Sequence, residues 1–196
     1  MRRKLLCGSS VLLFATTVIA CAPGYYNRGY NGYGQYGGAA YSASYVAPQP
    51  LSRASYDFVT NAALSDMYEI QAGNLARSRG VSPAVRQFGE HMVVDHTMTS
   101  QQMMATLQAN GTPILTPQVL DPRHQNMVGE LQAAQGPDFD RRYAIQQVMA
   151  HREAVTMLQN YAQTGDNPAL RQLAAQTLPL IQEHLRMAQM LPGASG

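Results

Sequence analysis

From residue 56 onward apolar side chains return every three or four positions, the spacing that gathers them on one side of an α-helix. Phe58, Ala62, Ser65, Glu69, Ala72 and Ala76 share the first such stripe, and Val85, Phe88, Met92, His96, Thr99, Met103 and Leu107 the second. Tyr143, Gln147, His151, Ala154, Leu158 and Tyr161 form a third, and Leu170, Leu173, Thr177, Ile181, His184, Ala188 and Leu191 a fourth. Helix punctuation separates them. Ser-Arg-Gly at 78–80 closes the first segment, Ser82-Pro83 opens the second as N-cap and first-turn proline, and Asn110-Gly111 closes it. A proline-punctuated crossing, TPILTPQVL, leads to a shorter piece opened by Asp121-Pro122 and ended by Gly136-Pro137. Asp138 to Thr164 and a last segment from Asn167-Pro168 to about Leu191 complete the set. No Val/Ile/Thr alternation intervenes, so the pattern predicts an all-α domain over 56–192. The long connection after the second helix leaves room for a short extra helix crossing the bundle end, as in ferritin-like four-helix topologies. Pro179 falls inside the last helix, where it removes one ladder hydrogen bond and bends the axis one turn before His184.

Each stripe carries one strong polar group near its middle: Glu69, His96, His151 and His184. An unpaired buried charge costs several kcal/mol, whereas convergent polar groups satisfy one another. If the four stripes meet at one level they form a site of one carboxylate and three imidazoles. Neutral imidazole ligates zinc, copper, iron and nickel, and bundle cores commonly house such sites. The expected ligands of one transition metal ion are therefore Glu69, His96, His151 and His184, with Asp95 or Glu183 accepting from an imidazole behind them. The same residues also fit a buried hydrogen-bond network without metal. A copper reading adds Met98, Met103 and Met104, whose thioethers suit Cu(I), although Met also fills cores. His91 and His124 read as surface residues.

Upstream of the domain the pattern changes twice. Arg2, Arg3 and Lys4 precede the apolar run LLCGSSVLLFATTVIA, the anatomy of an export signal over 1–20, too short to span a bilayer. Val18-Ile19-Ala20-Cys21 looks like a lipobox, which makes Cys21 the expected lipidation site and a membrane its partner. Ala22, in place of an aspartate, favours the outer membrane, the protein facing the periplasm or the cell surface. Residues 21–55 are rich in Gly and Tyr and nearly free of aliphatic side chains, which predicts a disordered tether. About thirty such residues reach roughly 30 Å. Spaced tyrosines also suit contact with an envelope or cell-wall partner.

Composition then excludes several chemistries. Removal of Cys7 and acylation of Cys21 would leave no free thiol, hence no cysteine nucleophile, disulfide or thiolate metal site. The formal charge of +2 counts three basic residues of the signal, and eleven Arg then face twelve acids. That balance carries no footprint for nucleic acid. Lysine is absent after Lys4, which removes Schiff-base chemistry. Neither a G-x-S-x-G elbow nor a phosphate loop is present. The expectation is a non-catalytic protein; a structural or interaction module is the rival, and a redox enzyme would need an open coordination position and an access path.

FVTNAALSDMYEIQAGNLA, VRQFGEHMVVDHTM, FDRRYAIQQVMAHREAV and LRQLAAQTLPLIQEHLRMAQ together resemble the bacterial domain-of-unknown-function family 4142 of exported ferritin-like proteins, often labelled predicted outer-membrane proteins. The resemblance covers residues 56 to 191 and implies a four-helix ferritin-like bundle. The family's recurrent polar positions correspond to Glu69, Asp95-His96, His151 and His184. An acid usual before the third-helix histidine is Ala150 here, and no E-x-x-H occurs, which argues against a di-iron carboxylate centre.

Overall fold

A computed structural model describes residues 50–112 and 114–194. The export signal, Cys21 and nearly all of the tether lie outside the described residues. Five α-helices make up the described part: α1 (Arg53–Arg79), α2 (Pro83–Ala109), α3 (Pro122–Ala133), α4 (Gly136–Thr164) and α5 (Pro168–Ala188). None is long and apolar enough to cross a membrane.

The punctuation works as the sequence suggests. Ser52, Ser82, Asp121 and Asn167 each accept from a backbone amide of the first turn, and prolines 83, 122 and 168 occupy first-turn positions where no amide partner is needed. Ser52 is the N-cap of α1, so that helix starts at Arg53, ahead of the expected boundary at 56. Gly111, at φ 62°, takes the left-handed conformation that ends α2.

Helix directions follow from contacts at the two ends. Phe58, early in α1, stacks on Tyr161, late in α4, with ring centroids 3.9 Å apart. At the opposite end the Asp140 carboxylate of α4 accepts from the amides of Val81 (2.9 Å) and Ser82 (2.7 Å), where α1 turns into α2. Hence α1 opposes α4, α2 runs with α4, and the segment between them travels the length of the bundle. This corrects the expectation that the extra helix crosses the bundle end. Instead α3 lies along the wall: His124 meets Tyr68, the Gln146 amide donates to the Met127 carbonyl, and Arg79 donates to the carbonyls of Leu131, Gln132 and Ala134. The arginine sits where unpaired carbonyls and the negative end of α3 favour a cation.

The two antiparallel pairs, α1/α2 and α4/α5, provide the four walls. α1 and α2 approach backbone to backbone at Gly73 and Gly89, where a Cβ on Gly73 would stand 2.7 Å from the Gly89 carbonyl oxygen. A carbonyl in a helix has little room to yield. Gly73→Ala should therefore destabilise by about 1–3 kcal/mol through overpacking, outweighing the helix-propensity gain of about 1 kcal/mol. The urea midpoint of the metal-free protein measures it.

The apolar core is split in two. One cluster gathers Tyr68, Phe88, Met92, Leu131, Phe139 and Tyr143 with their neighbours; the other gathers Phe58, Met103, Leu107, Leu158, Leu170 and Ile181. The polar residues of the four stripes lie between them.

Candidate metal centre

Along every long helix a polar residue separates the two clusters, Asp66 on α1, His96 and Thr99 on α2, His151 on α4 and His184 on α5, while Glu69 and Gln147 sit at the edge of the Tyr143 cluster. All seven are buried. A helical period near 3.6 residues explains why one turn of each helix falls at the same height once the clusters above and below are packed.

His96, His151 and His184 converge, each offering a ring nitrogen within 4.8 Å of those of the other two. Each imidazole is held by one nitrogen and left free at the other. His96 Nδ1 lies 2.8 Å from Asp66 Oδ1, His151 Nδ1 lies 2.9 Å from the Gln147 carbonyl one turn back, and His184 Nε2 lies 2.9 Å from Asp95 Oδ2. His96 Nε2, His151 Nε2 and His184 Nδ1 are buried and have no partner. Three orphaned nitrogens in one layer are costly unless something binds them.

The spacing suits an ion. An ion about 2.0–2.1 Å from three imidazole nitrogens holds the ring centroids about 5.2–5.6 Å from one another. The observed separations are 5.7 Å (His96 to His151), 5.4 Å (His96 to His184) and 5.4 Å (His151 to His184). The partners behind the rings also fit, because a carboxylate or carbonyl on the far nitrogen fixes the tautomer that leaves the near one as a ligand.

Electrostatics in the layer divide the imidazoles. Burial disfavours the charged form of His96, but its hydrogen bond to Asp66 and the charges of Asp66, Glu69 and Asp95 outweigh that and hold its pKa above the ordinary value. Burial, together with the charges of His96 and His184, drives His151 well below it. His184 falls to about 4, through burial and the His96 charge against the pull of Asp95. Without metal the trio thus holds at most one proton charge, that on His96, and an ion has to displace it. Binding should strengthen as pH rises through and above 6.5, the window in which that proton leaves; titration calorimetry at several pH values measures the slope.

Glu69 occupies the predicted layer but not the predicted role. Its Oε2 accepts from Gln147 Nε2 at 2.7 Å, and its Oε1 stands 3.8 Å from His151 Nδ1, the nitrogen turned away from the free ones. It contributes charge behind His151 instead of a fourth ligand atom. Burial pushes its pKa up to about 7, against the lowering influence of His96 and Gln147. A folded pKa above the unfolded 4.5 means that its stabilising share is complete below pH 4.5 and is lost as pH rises through 7. Metal-free Glu69→Gln should therefore gain on the wild type between pH 5 and pH 8, by about 3 kcal/mol at most, read from paired urea titrations.

Asp95 bonds to His184, whereas Glu183 pairs with Arg186 at the surface. Met98 and Met104 are exposed while Met103 is buried, so the thioethers do not assemble with His96. Steps of five and six residues place Met103 and Met104 on different sides of α2 from Met98. His91 is exposed, and His124 bonds to the Asp121 that caps α3. Sequence reasoning missed Asp66. Its carboxylate holds His96, and its Oδ2 accepts from Thr99 (3.0 Å) and Ser100 (2.9 Å). The available signal was its position three residues before Glu69, on the same helix face.

Comparison with known families agrees with this architecture. The profile described as "Domain of unknown function (DUF4142)" matches residues 40–191. The chain belongs to that family. Among solved structures, the DUF4142 chain is similar in fold to a DUF305 fragment from Deinococcus radiodurans, with TM-score 0.60 and 19% identity, over 72% of this chain and 96% of that one. It is also similar to CopM in its Cu(II)-bound form, with TM-score 0.57 and 17% identity, over 69% and 92% of the two chains. At these identities the likeness concerns the helical bundle alone. No curated protein matches the chain.

Proposed function

We propose that this DUF4142 protein is an exported, lipid-anchored envelope protein whose ferritin-like bundle holds one late first-row transition metal ion through His96, His151 and His184. The observation that carries the proposal is the set of three buried, partnerless imidazole nitrogens, each on a ring fixed from behind. Asp66 and Asp95, with Glu69 beyond His151, supply negative charge around a divalent cation without occupying its coordination sphere. Three neutral imidazoles suit zinc and copper well. CopM, of like fold, is described in a Cu(II)-bound form, which makes copper one of the first ions to offer.

The anchoring reading rests on Val18-Ile19-Ala20-Cys21 and the preceding apolar run, and Ala22 in place of an aspartate supports the outer membrane over the inner, with the tether presenting the bundle to an envelope or cell-wall partner. Radiolabelled palmitate incorporated by the wild type and not by Cys21→Ser tests it. The activity is binding, without turnover.

Protein purified without an affinity tag should contain stoichiometric metal, and His96→Ala and His184→Ala should lose it. Metal-free preparations of all three, unable to take up zinc or copper in calorimetry, would end the metal reading. The Asp66–His96 ion pair would then favour the second reading, a buried polar network that fixes helix register in a structural module.

A further inference from the structure

The three rings differ in what lies behind them. His151 is backed by the Gln147 carbonyl of its own helix, and His96 by Asp66, which also accepts from Thr99 and Ser100 and whose side chain is 11% exposed. His184 is backed by Asp95, whose side chain is 25% exposed. A single imidazole therefore separates a solvent-exposed carboxylate from the centre: Nε2 faces Asp95 Oδ2 at 2.9 Å, and Nδ1 is one of the three unpartnered nitrogens. Both oxygens of a carboxylate can accept, so Asp95 keeps Oδ1 for another partner. His91 is exposed and lies four residues before Asp95 on α2, the helical spacing that sets two side chains next to each other and lets them hold one cation. Its charge is felt at His184, where it adds to burial and to the His96 charge in lowering the pKa. Arg186, two residues beyond His184, is taken up by Glu183.

Resting on the metal reading above, we propose that His91 and Asp95 form an outer cation site, at which the divalent transition metal ion is first held before it passes by way of His184 to the trio. An imidazole and a carboxylate suit Zn(II) and Cu(II), and two protein ligands leave the remaining positions to water. An ion stripped of its hydration shell in one step would meet a large desolvation cost, whereas at the outer pair it exchanges water for protein ligands while Asp95 offsets its charge. The ring that has to turn aside is the one whose partner touches solvent, so the hydrogen bond broken by turning is replaced by one to water. Ligands are exchanged one for another, with no change in the oxidation state of the ion.

The test mixes metal-free protein with Cu(II) in a stopped-flow instrument and compares the wild type with His91→Ala, a change at an exposed position that leaves the packing of the bundle intact. In the wild type the observed rate of uptake should saturate as copper is raised, because the outer pair fills first. Half-saturation should lie at least about tenfold higher in His91→Ala, while the dissociation constant at equilibrium, set by the trio, changes by less than about twofold. Wild-type samples frozen within milliseconds of mixing should give an electron paramagnetic resonance spectrum with hyperfine coupling to one imidazole, replaced at equilibrium by coupling to three, and His91→Ala should lack the early species. Half-saturation unchanged in His91→Ala, or an early spectrum that already shows three imidazoles, would overturn the outer site. An equal weakening of equilibrium binding would overturn it as well, since His91 would then act on the trio itself. A wild type that stays at one imidazole would overturn the inner centre, and the passage to it, while leaving the outer pair. A wild type that binds no copper at all would overturn both.

Discussion

Asp66→Ala is expected to lower the unfolding free energy of the metal-free protein by about 3–5 kcal/mol, the cost of leaving a buried charge without its partner. Asp66 is the acceptor for His96 Nδ1, Thr99 Oγ1 and Ser100 Oγ, and truncation leaves the buried His96 nitrogen without a partner, while Thr99 keeps the His96 carbonyl and the half-buried Ser100 can turn to solvent. The charge on His96 depends on the same contact, since the Asp66 hydrogen bond leads the influences that raise its pKa against burial. The loss should shrink above the His96 pKa, where the ring becomes neutral and asks less of its neighbour. Asp66→Asn keeps the size and one acceptor oxygen, and should fall between wild type and alanine. Urea unfolding at pH 6 and pH 9 reads both effects; an Asp66→Ala midpoint equal to wild type at pH 6 would remove the ion pair from any account of the layer.

Metal should stabilise the wild type and leave the histidine variants unmoved. An ion present at a thousandfold excess over its dissociation constant adds about 4 kcal/mol to the folded state. For a helical domain of this size that shift raises Tm by about 8–16 °C. His151→Ala removes the ligand with the most strongly suppressed charge, the one most ready to coordinate. It should abolish the shift, and the cavity it leaves against Phe88, His96 and His184 should cost the metal-free protein about 2–4 kcal/mol. The metal-dependent rise in Tm, read within each variant, separates binding from that loss of stability. Differential scanning calorimetry with zinc and with copper compares them.

The helices were legible because their start signals are strong and local. Ser82-Pro83, Asp121-Pro122 and Asn167-Pro168 mark first turns by the chemistry of the cap, and the structure keeps all three. Ser52 was obscured by the Gly- and Tyr-rich chain before it. The layer was legible because four polar residues interrupt four apolar stripes in phase, and all four are buried together. What stripes do not contain is the direction in which a side chain turns its polar atoms. Glu69 was placed correctly and aimed wrongly, its carboxylate drawn to Gln147 on the side of His151 away from the free nitrogens. Glu183 failed for a different reason. One residue is about 100° of helix rotation, enough to carry it from the seam occupied by His184 to the solvent and Arg186. The path of α3 was equally hidden, since it depends on α2 and α4 running the same way, a relation between distant segments with no local signal.

That parallel relation also bears on the order of assembly. His96 belongs to one helical hairpin, and His151 and His184 to the other, with the long crossover between them. Neither hairpin alone can offer three nitrogens. A cation captured there would act as a clasp, closing only after the halves have docked and resisting their separation under mechanical load.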